Sequence, residues 1–258
     1  MPASTFARPF TRRLRQPRTH IALLLLLASS FCLSPSAAQP SHPDAPTPAP
    51  SQPAPQGQPC CGPVTRAGQA LAARLDATGV DHLWLAGQHV NWQTGEPDSG
   101  SEDRGHGRAS HCSAFVGAFA QQQGVYVLRP PQHSQILLAS AQVAWLSSPA
   151  AQQAGWQPLQ DMRQAQTLAN QGRLVLAAFP SPQPRKPGHI AIVRPAELSE
   201  AQLQANGPQI TQTGQQNYLS TPTRQGFRLH HGAWPEGIRY FGVDRAPDDA
   251  ALGSRGAS

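Results

Sequence analysis

The sequence has little charge of either sign, and its small positive excess is concentrated at the N-terminus. Charged residues make up 13% of the 258 residues, with 20 Lys and Arg against 14 Asp and Glu. Five of the arginines lie in residues 1–38, which contain no acid, so the remainder has 15 basic and 14 acidic side chains. A nucleic-acid binder needs a basic surface to neutralise phosphates. The near-neutral remainder therefore argues against a nucleic-acid partner.

The N-terminal apolar run is too short to cross a bilayer comfortably. This run, "IALLLLLASSFCL", follows a basic stretch and precedes the small residues "SPSAAQP". A transmembrane helix needs about 20 apolar residues, whereas basic, apolar and small-residue regions in this order are typical of a secretory signal peptide. We expect residues 1–38 to be a signal peptide cleaved near Ala38. The mature protein would be exported to the periplasm or the extracellular space, without a stable membrane anchor.

Large aliphatic and aromatic side chains are missing from the segment that follows. Residues 39–59 are rich in Pro, Ala and Gln, so they cannot bury enough apolar surface to fold and are predicted to be a disordered linker. Residues 60–244 have the length of one domain with its own core. The polar residues 245–258 are predicted to be a flexible tail.

Cysteine is scarce, and its number is odd outside the signal peptide. The three remaining cysteines are Cys60, Cys61 and Cys112. Cys60 and Cys61 could pair with each other or between molecules, which leaves Cys112 as the free thiol of the domain. A free thiol is a chemical liability in an exported protein, so its presence favours a functional role. No set of Cys and His residues has convincing metal spacing, and we expect no metal and no cofactor.

The hydrophobic pattern changes along the domain from a helical period to short β-rich runs. Helices are predicted in "PVTRAGQALAARLDATGV", "HCSAFVGAFAQQQGV", "HSQILLASAQVAWLSS" and "LQDMRQAQTLANQGR". Strands are predicted in "LVLAAF", "HIAIVRP", "PQITQTG", "GFRLHH" and "GIRYFGVD". Helices followed by strands indicate an α+β domain in which the helices pack on a mostly antiparallel sheet.

Cys112 lies where the second of these helices should begin. If Ser110 is the N-cap, the thiol lies in the first turn, where free backbone N–H groups and the helix dipole favour an anion. This position is expected to lower the pKa of Cys112, and the polar loop before it would leave the sulfur accessible to solvent. The alternative is a small buried apolar residue, because free cysteine is among the most buried residue types.

A nucleophilic cysteine requires a base, and the sequence offers His189. This residue begins an apolar strand after a Pro-Gly turn, so the sheet would fix its position. Gln212 lies on the next strand and could hydrogen-bond the far ring nitrogen, and Asn217 is an alternative third residue. His189 could also be an ordinary hydrogen-bonding residue at a strand end.

The order of "HCSAFV", "PGHIAIVRP" and "GPQITQTGQQN" resembles the papain-like bacterial amidases of the CHAP and NlpC type. The resemblance covers roughly residues 64–244. It implies a papain-like fold with Cys112 as nucleophile, His189 as general base, and Gln212 or Asn217 as the orienting residue. The third position departs from the Glu or Asn that CHAP members often use.

The resemblance also implies a cleft with a group that stabilises the oxyanion. Candidates for the second oxyanion donor are Gln93 and Asn91, or a loop residue before the cysteine, and Trp92 and Trp145 are candidates for the cleft wall. Each tryptophan could instead be a core or rim residue.

The expected function is an exported cysteine amidase or peptidase that cleaves amide bonds in peptidoglycan peptides through an acyl-enzyme. One alternative keeps the scaffold and transfers the acyl group to an amine or lipid. Another is a wall-binding module in which the Cys–His pair is idle.

Overall fold

The computed structural model describes three segments of the chain. They are residues 59–99, 110–184 and 186–243. The predicted signal peptide (1–38), nearly all of the predicted linker (39–59) and the predicted tail (245–258) lie outside the described residues. The structure therefore concerns the predicted domain.

The described segments contain both helices and strands. The helices are α1 (Arg66–Asp76), α2 (Cys112–Gln122), α3 (Leu138–Leu146), α4 (Pro149–Gln153), α5 (Met162–Asn170), α6 (Glu200–Asn206) and α7 (Thr223–Gly226). The strands are β1 (Trp156–Pro158), β2 (Val175–Phe179), β3 (His189–Val193), β4 (Gln209–Gln212), β5 (Tyr218–Pro222) and β6 (Arg239–Val243). None of these helices is both long enough and apolar enough to span a membrane.

The strands form one six-stranded sheet in the order β1-β6-β2-β3-β4-β5. Every neighbouring pair is antiparallel. The prediction of an α+β domain with a mostly antiparallel sheet is confirmed at this level. Strands β2 and β3 are buried along their whole length, as expected for central strands that are covered on both faces.

Side chains alternate between two separate cores on the two faces of the sheet. Ile190 and Ile192 of β3 pack with Phe115 of α2 in one core, whereas Ala191 and Val193 belong to the other. Successive residues of a strand point to opposite faces. Helix α2, which begins at Cys112, therefore packs on the face toward which Ile190 points.

One predicted strand, "GFRLHH", is wrong. Its first residue ends helix α7, and the residues that follow form turns. Phe227 is buried in the second core, so its burial in a turn gave the segment the apolar character that suggested a strand. Strand β5, which precedes α7 and pairs with β4, was not anticipated.

Candidate active site

Cys112 is the first residue of α2, as the sequence predicted, but the N-cap differs. The N-cap is His111, whose side chain makes no capping hydrogen bond, so the prediction of Ser110 as N-cap is wrong. The Nε2 atom of His111 instead donates to the backbone carbonyl of Gln88 at 2.8 Å. This contact fastens the start of α2 to the loop before it.

The environment of the Cys112 thiol is more enclosed than the sequence suggested. Only 3% of the residue is exposed, and burial raises the pKa of Cys112 to about 11. The backbone N–H groups of Ile190, Ser113 and Cys112 act in the opposite direction, because they stabilise the thiolate. The expectations of a lowered pKa and of an accessible sulfur are wrong, because desolvation outweighs the helix N-terminus.

His189 is the first residue of strand β3, and contacts of the preceding Gly188 fix where the strand begins. The residue before it, Gly188, donates its N–H to the hydroxyl of Ser140 at 3.0 Å. A Cβ atom at Gly188 would lie 2.3 Å from the carbonyl oxygen of Phe179, so the strand start requires glycine here. The Pro-Gly turn seen in the sequence therefore fixes the position of His189 at the start of β3.

The contact predicted between His189 and Gln212 is present. The Nε2 atom of His189 lies 2.8 Å from Oε1 of Gln212. An amide oxygen can only accept, so Nε2 carries the proton and Nδ1 is left as the basic nitrogen. The Nε2 atom of Gln212 donates to the backbone carbonyl of Gln216 at 3.1 Å, which fixes the orientation of the amide.

A second histidine, which the sequence did not indicate as a partner of His189, lies against the first. The rings of His189 and His230 stack with centroids 4.6 Å apart and an angle of 11° between their planes, and Phe227 meets His189 edge-on at 4.6 Å. Burial, together with the nearby charge of His230, lowers the pKa of His189 to about 3, against the effect of the Gln212 hydrogen bond. Burial also lowers the pKa of His230. Both rings are therefore neutral at neutral pH.

The Cys112 thiol lies beside the start of β3. The backbone N–H that stabilises the thiolate belongs to Ile190, the residue directly after His189. Among the hydrogen bonds of the described residues, none joins the Cys112 thiol to the His189 ring. The structure thus contains a neutral thiol and a neutral imidazole at one end of the sheet.

A cleft of about 560 Å³ opens at this end of the sheet. It is lined by His189, Gln212 and His230 and by Ser110, which lies two residues before Cys112. A substrate in this cleft would contact the His189 ring and Ser110, whereas Cys112 is not among the described lining residues. The cleft is of the size used for small ligands and peptide segments.

The alternative third residue, Asn217, has a different role. Its Nδ2 atom donates to the backbone carbonyls of Val80 and Leu83 at 2.8 and 2.9 Å, and its Oδ1 atom accepts from the N–H of Gly214 at 3.0 Å. The side chain fastens the loop after β4 to the segment after α1. The prediction of Asn217 as a partner of His189 is therefore wrong.

The predicted oxyanion and cleft residues lie elsewhere. The Oδ1 atom of Asn91 accepts from the backbone N–H of Gln93 at 2.9 Å within a local turn, and both residues are exposed. Trp92 packs near Gly117 in the middle of α2. Trp145 pairs with Tyr126. None of these four predicted residues lines the described cleft.

The other two cysteines, Cys60 and Cys61, are free thiols within the chain and do not pair with each other. Burial raises the pKa of Cys61 to about 12, and a hydrogen bond with Cys60 adds to the effect. Within the three described segments, no group of three or more His, Cys, Asp or Glu residues could hold a metal ion.

Comparison with known proteins does not supply a family. No family model matches the chain, and no curated protein is similar to it at a significant level. The class that the structure itself defines is an α+β domain with a six-stranded antiparallel sheet.

Proposed function

We propose that the protein is an exported papain-like cysteine amidase or peptidase that uses Cys112 as nucleophile and His189 as general base. The resemblance of "HCSAFV", "PGHIAIVRP" and "GPQITQTGQQN" to the CHAP and NlpC amidases supports this proposal. The substrate class suggested by that resemblance is the peptide of peptidoglycan. The Pro-rich residues 39–59 would give the domain reach within a wall layer.

The hydrogen bond from His189 Nε2 to Gln212 Oε1 is the observation that carries the proposal. It holds the ring in the tautomer whose Nδ1 atom can accept a proton, which is what a general base beside a thiol requires. The helix that begins at Cys112 places the sulfur beside the amide of Ile190, one residue beyond that base.

The proposed reaction begins with a neutral Cys112 thiol and a neutral His189 ring. Nδ1 of His189 takes the proton of the Cys112 thiol as the sulfur forms a bond to the substrate carbonyl carbon. The imidazolium then gives that proton to the leaving amine, the C–N bond breaks, and a thioester remains on Cys112. A water molecule, deprotonated by the same nitrogen, attacks the thioester and releases the carboxylic acid and the thiol.

The start of α2 supplies part of the stabilisation of the intermediate. Backbone N–H groups in a first helical turn have no partner within the helix, and those of Cys112 and Ser113 already point at the sulfur closely enough to stabilise the thiolate. As the negative charge moves from sulfur to the carbonyl oxygen, the Cys112 N–H is placed to donate to it.

Digestion of purified sacculi tests the proposal. The wild-type protein should release soluble fragments with new amine and carboxyl ends, identified by mass spectrometry, and Cys112→Ala should release none. Cys61→Ala is the matched control, because it removes a buried thiol that has no part in the proposed mechanism, and it should leave the release unchanged. Equal release by wild-type protein and Cys112→Ala would refute the mechanism.

A further inference from the structure

The described wall of the cleft has cationic side chains and no anionic ones. Lys186 and Arg228 line it together with the two stacked histidines, and no Asp or Glu is among its described lining residues. Elsewhere in the described domain several basic side chains do have acidic partners, such as Arg163 with Glu200 and Arg194 with Asp76. The described lining of the cleft thus carries a net positive charge.

Arg228 is held in place by a neutral group, which leaves its charge available. Its Nη2 atom donates to Oε1 of Gln216 at 2.6 Å, and the Tyr218 hydroxyl donates to the same oxygen at 2.6 Å. Neither Arg228 nor Lys186 has an ion-pair partner among the described residues. A guanidinium has five N–H donors, so Arg228 keeps free donors on the cleft side.

Gln216 also connects Arg228 to the candidate base. The backbone carbonyl of Gln216 accepts from Gln212, and Gln212 accepts from His189. A group bound by Arg228 would thus be positioned through one short hydrogen-bonded chain relative to the nitrogen that acts on Cys112. Such positioning is what a subsite next to a reacting bond must provide.

We propose that Arg228, assisted by Lys186, forms a carboxylate-binding subsite, so that the protein prefers acidic peptides with a free carboxylate near the bond that is cut. This inference rests on the proposed amidase function and specifies its substrate. Arg binds carboxylates through two parallel hydrogen bonds, with both charge and geometry matched. An amidated peptide would lose the charge and one acceptor oxygen.

The test measures binding apart from catalysis. Isothermal titration of the Cys112→Ala variant would use the peptide L-Ala-γ-D-Glu-L-Lys-D-Ala and the same peptide with both carboxylates converted to carboxamides. The free acid should bind at least about 10-fold more tightly, as expected for a charge-assisted contact. Raising the salt concentration should weaken the binding of the acid more than that of the amide.

Second-site variants assign the preference to Arg228. Adding Arg228→Gln should reduce the affinity for the acid about 10-fold and leave the amide unaffected, whereas Lys186→Gln should cost about twofold. Arg239→Gln removes one exposed positive charge of β6 that does not line the cleft and should change neither affinity.

The outcomes separate this subsite from the proposed function. If the acid binds selectively through Arg228 but the wild-type protein cleaves neither peptide, the subsite stands and the amidase proposal fails for this bond. If the wild-type protein cleaves both peptides with equal kcat/KM, the amidase stands and the subsite is overturned. Equal binding of the two peptides, or binding of neither, also overturns the subsite.

Discussion

His189 donates from Nε2 to Oε1 of Gln212 over 2.8 Å, and this bond determines which ring nitrogen is basic. Replacing Gln212 by Ala should therefore reduce kcat at least about 10-fold with a small change in KM, because the ring loses its tautomer and orientation. Steady-state kinetics on a defined peptide substrate measures this. Gln212→Glu, which retains an acceptor, should restore part of the rate.

Gly226→Ala tests the same hydrogen bond by displacing its acceptor, the Gln212 side chain. A Cβ atom at Gly226 would lie 2.6 Å from Oε1 of Gln212 and 2.5 Å from Cδ1 of Ile210, so the amide must move away from His189. We expect a loss of kcat similar to that of Gln212→Ala in a folded protein, as judged by circular dichroism. Normal kinetics in both variants would mean that the hydrogen bond does not serve the base.

The thiol of Cys112 should react slowly with iodoacetamide at neutral pH. Burial raises its pKa to about 11, and only the thiolate is alkylated, so the rate should lie below that of a small cysteine peptide at pH 7 and rise with pH. Mass spectrometry of Cys112-containing peptides gives the rate. Rapid alkylation at pH 6 would instead indicate a preformed thiolate–imidazolium pair.

Acid should destabilise the domain through His189. Its pKa is lowered from 6.5 to about 3, so the unfolded chain binds a proton in this interval that the folded domain does not. The contribution of His189 to the free energy of unfolding should therefore be greatest above about pH 6.5 and should fall as the pH decreases toward 3. Urea titrations at several pH values measure the slope. His189→Gln should flatten it, and an unchanged slope would contradict the buried neutral ring.

Asn217 should matter for stability and not for chemistry. Its amide bonds to the carbonyls of Val80 and Leu83 and to the N–H of Gly214. Asn217→Ala leaves these backbone groups without their partner and should lower the free energy of unfolding by about 2 kcal/mol, with kcat unchanged at a temperature where the variant is folded. A loss of kcat without a loss of stability would instead indicate that Asn217 acts in the active site.

Local sequence signals located the elements that carry the candidate site. The apolar spacing after Cys112 predicted α2, the Pro-Gly turn before His189 predicted the start of β3, and strand alternation predicted the contact of Gln212 with His189. Each of these depends on a few neighbouring residues and on the period of one element.

Features of the site that depend on the tertiary fold were not predicted from the sequence. His230 follows His189 by 41 residues along the chain, and the turn after α7 brings the two rings together. The pKa of Cys112 depends on how deeply the start of α2 is covered, which helix position alone does not specify. The residues near Asn91 were placed wrongly because order along the chain does not say toward which part of α2 a loop will pack.

The most direct test of the central claim is intact-protein mass spectrometry of an acid-quenched reaction with a peptide substrate. We expect wild-type protein to form a covalent adduct with the mass of the acyl part of the substrate, located on Cys112 by fragmentation, and Cys112→Ala to form none. Cleavage of the substrate without any such adduct, together with full activity of Cys112→Ala, would contradict it.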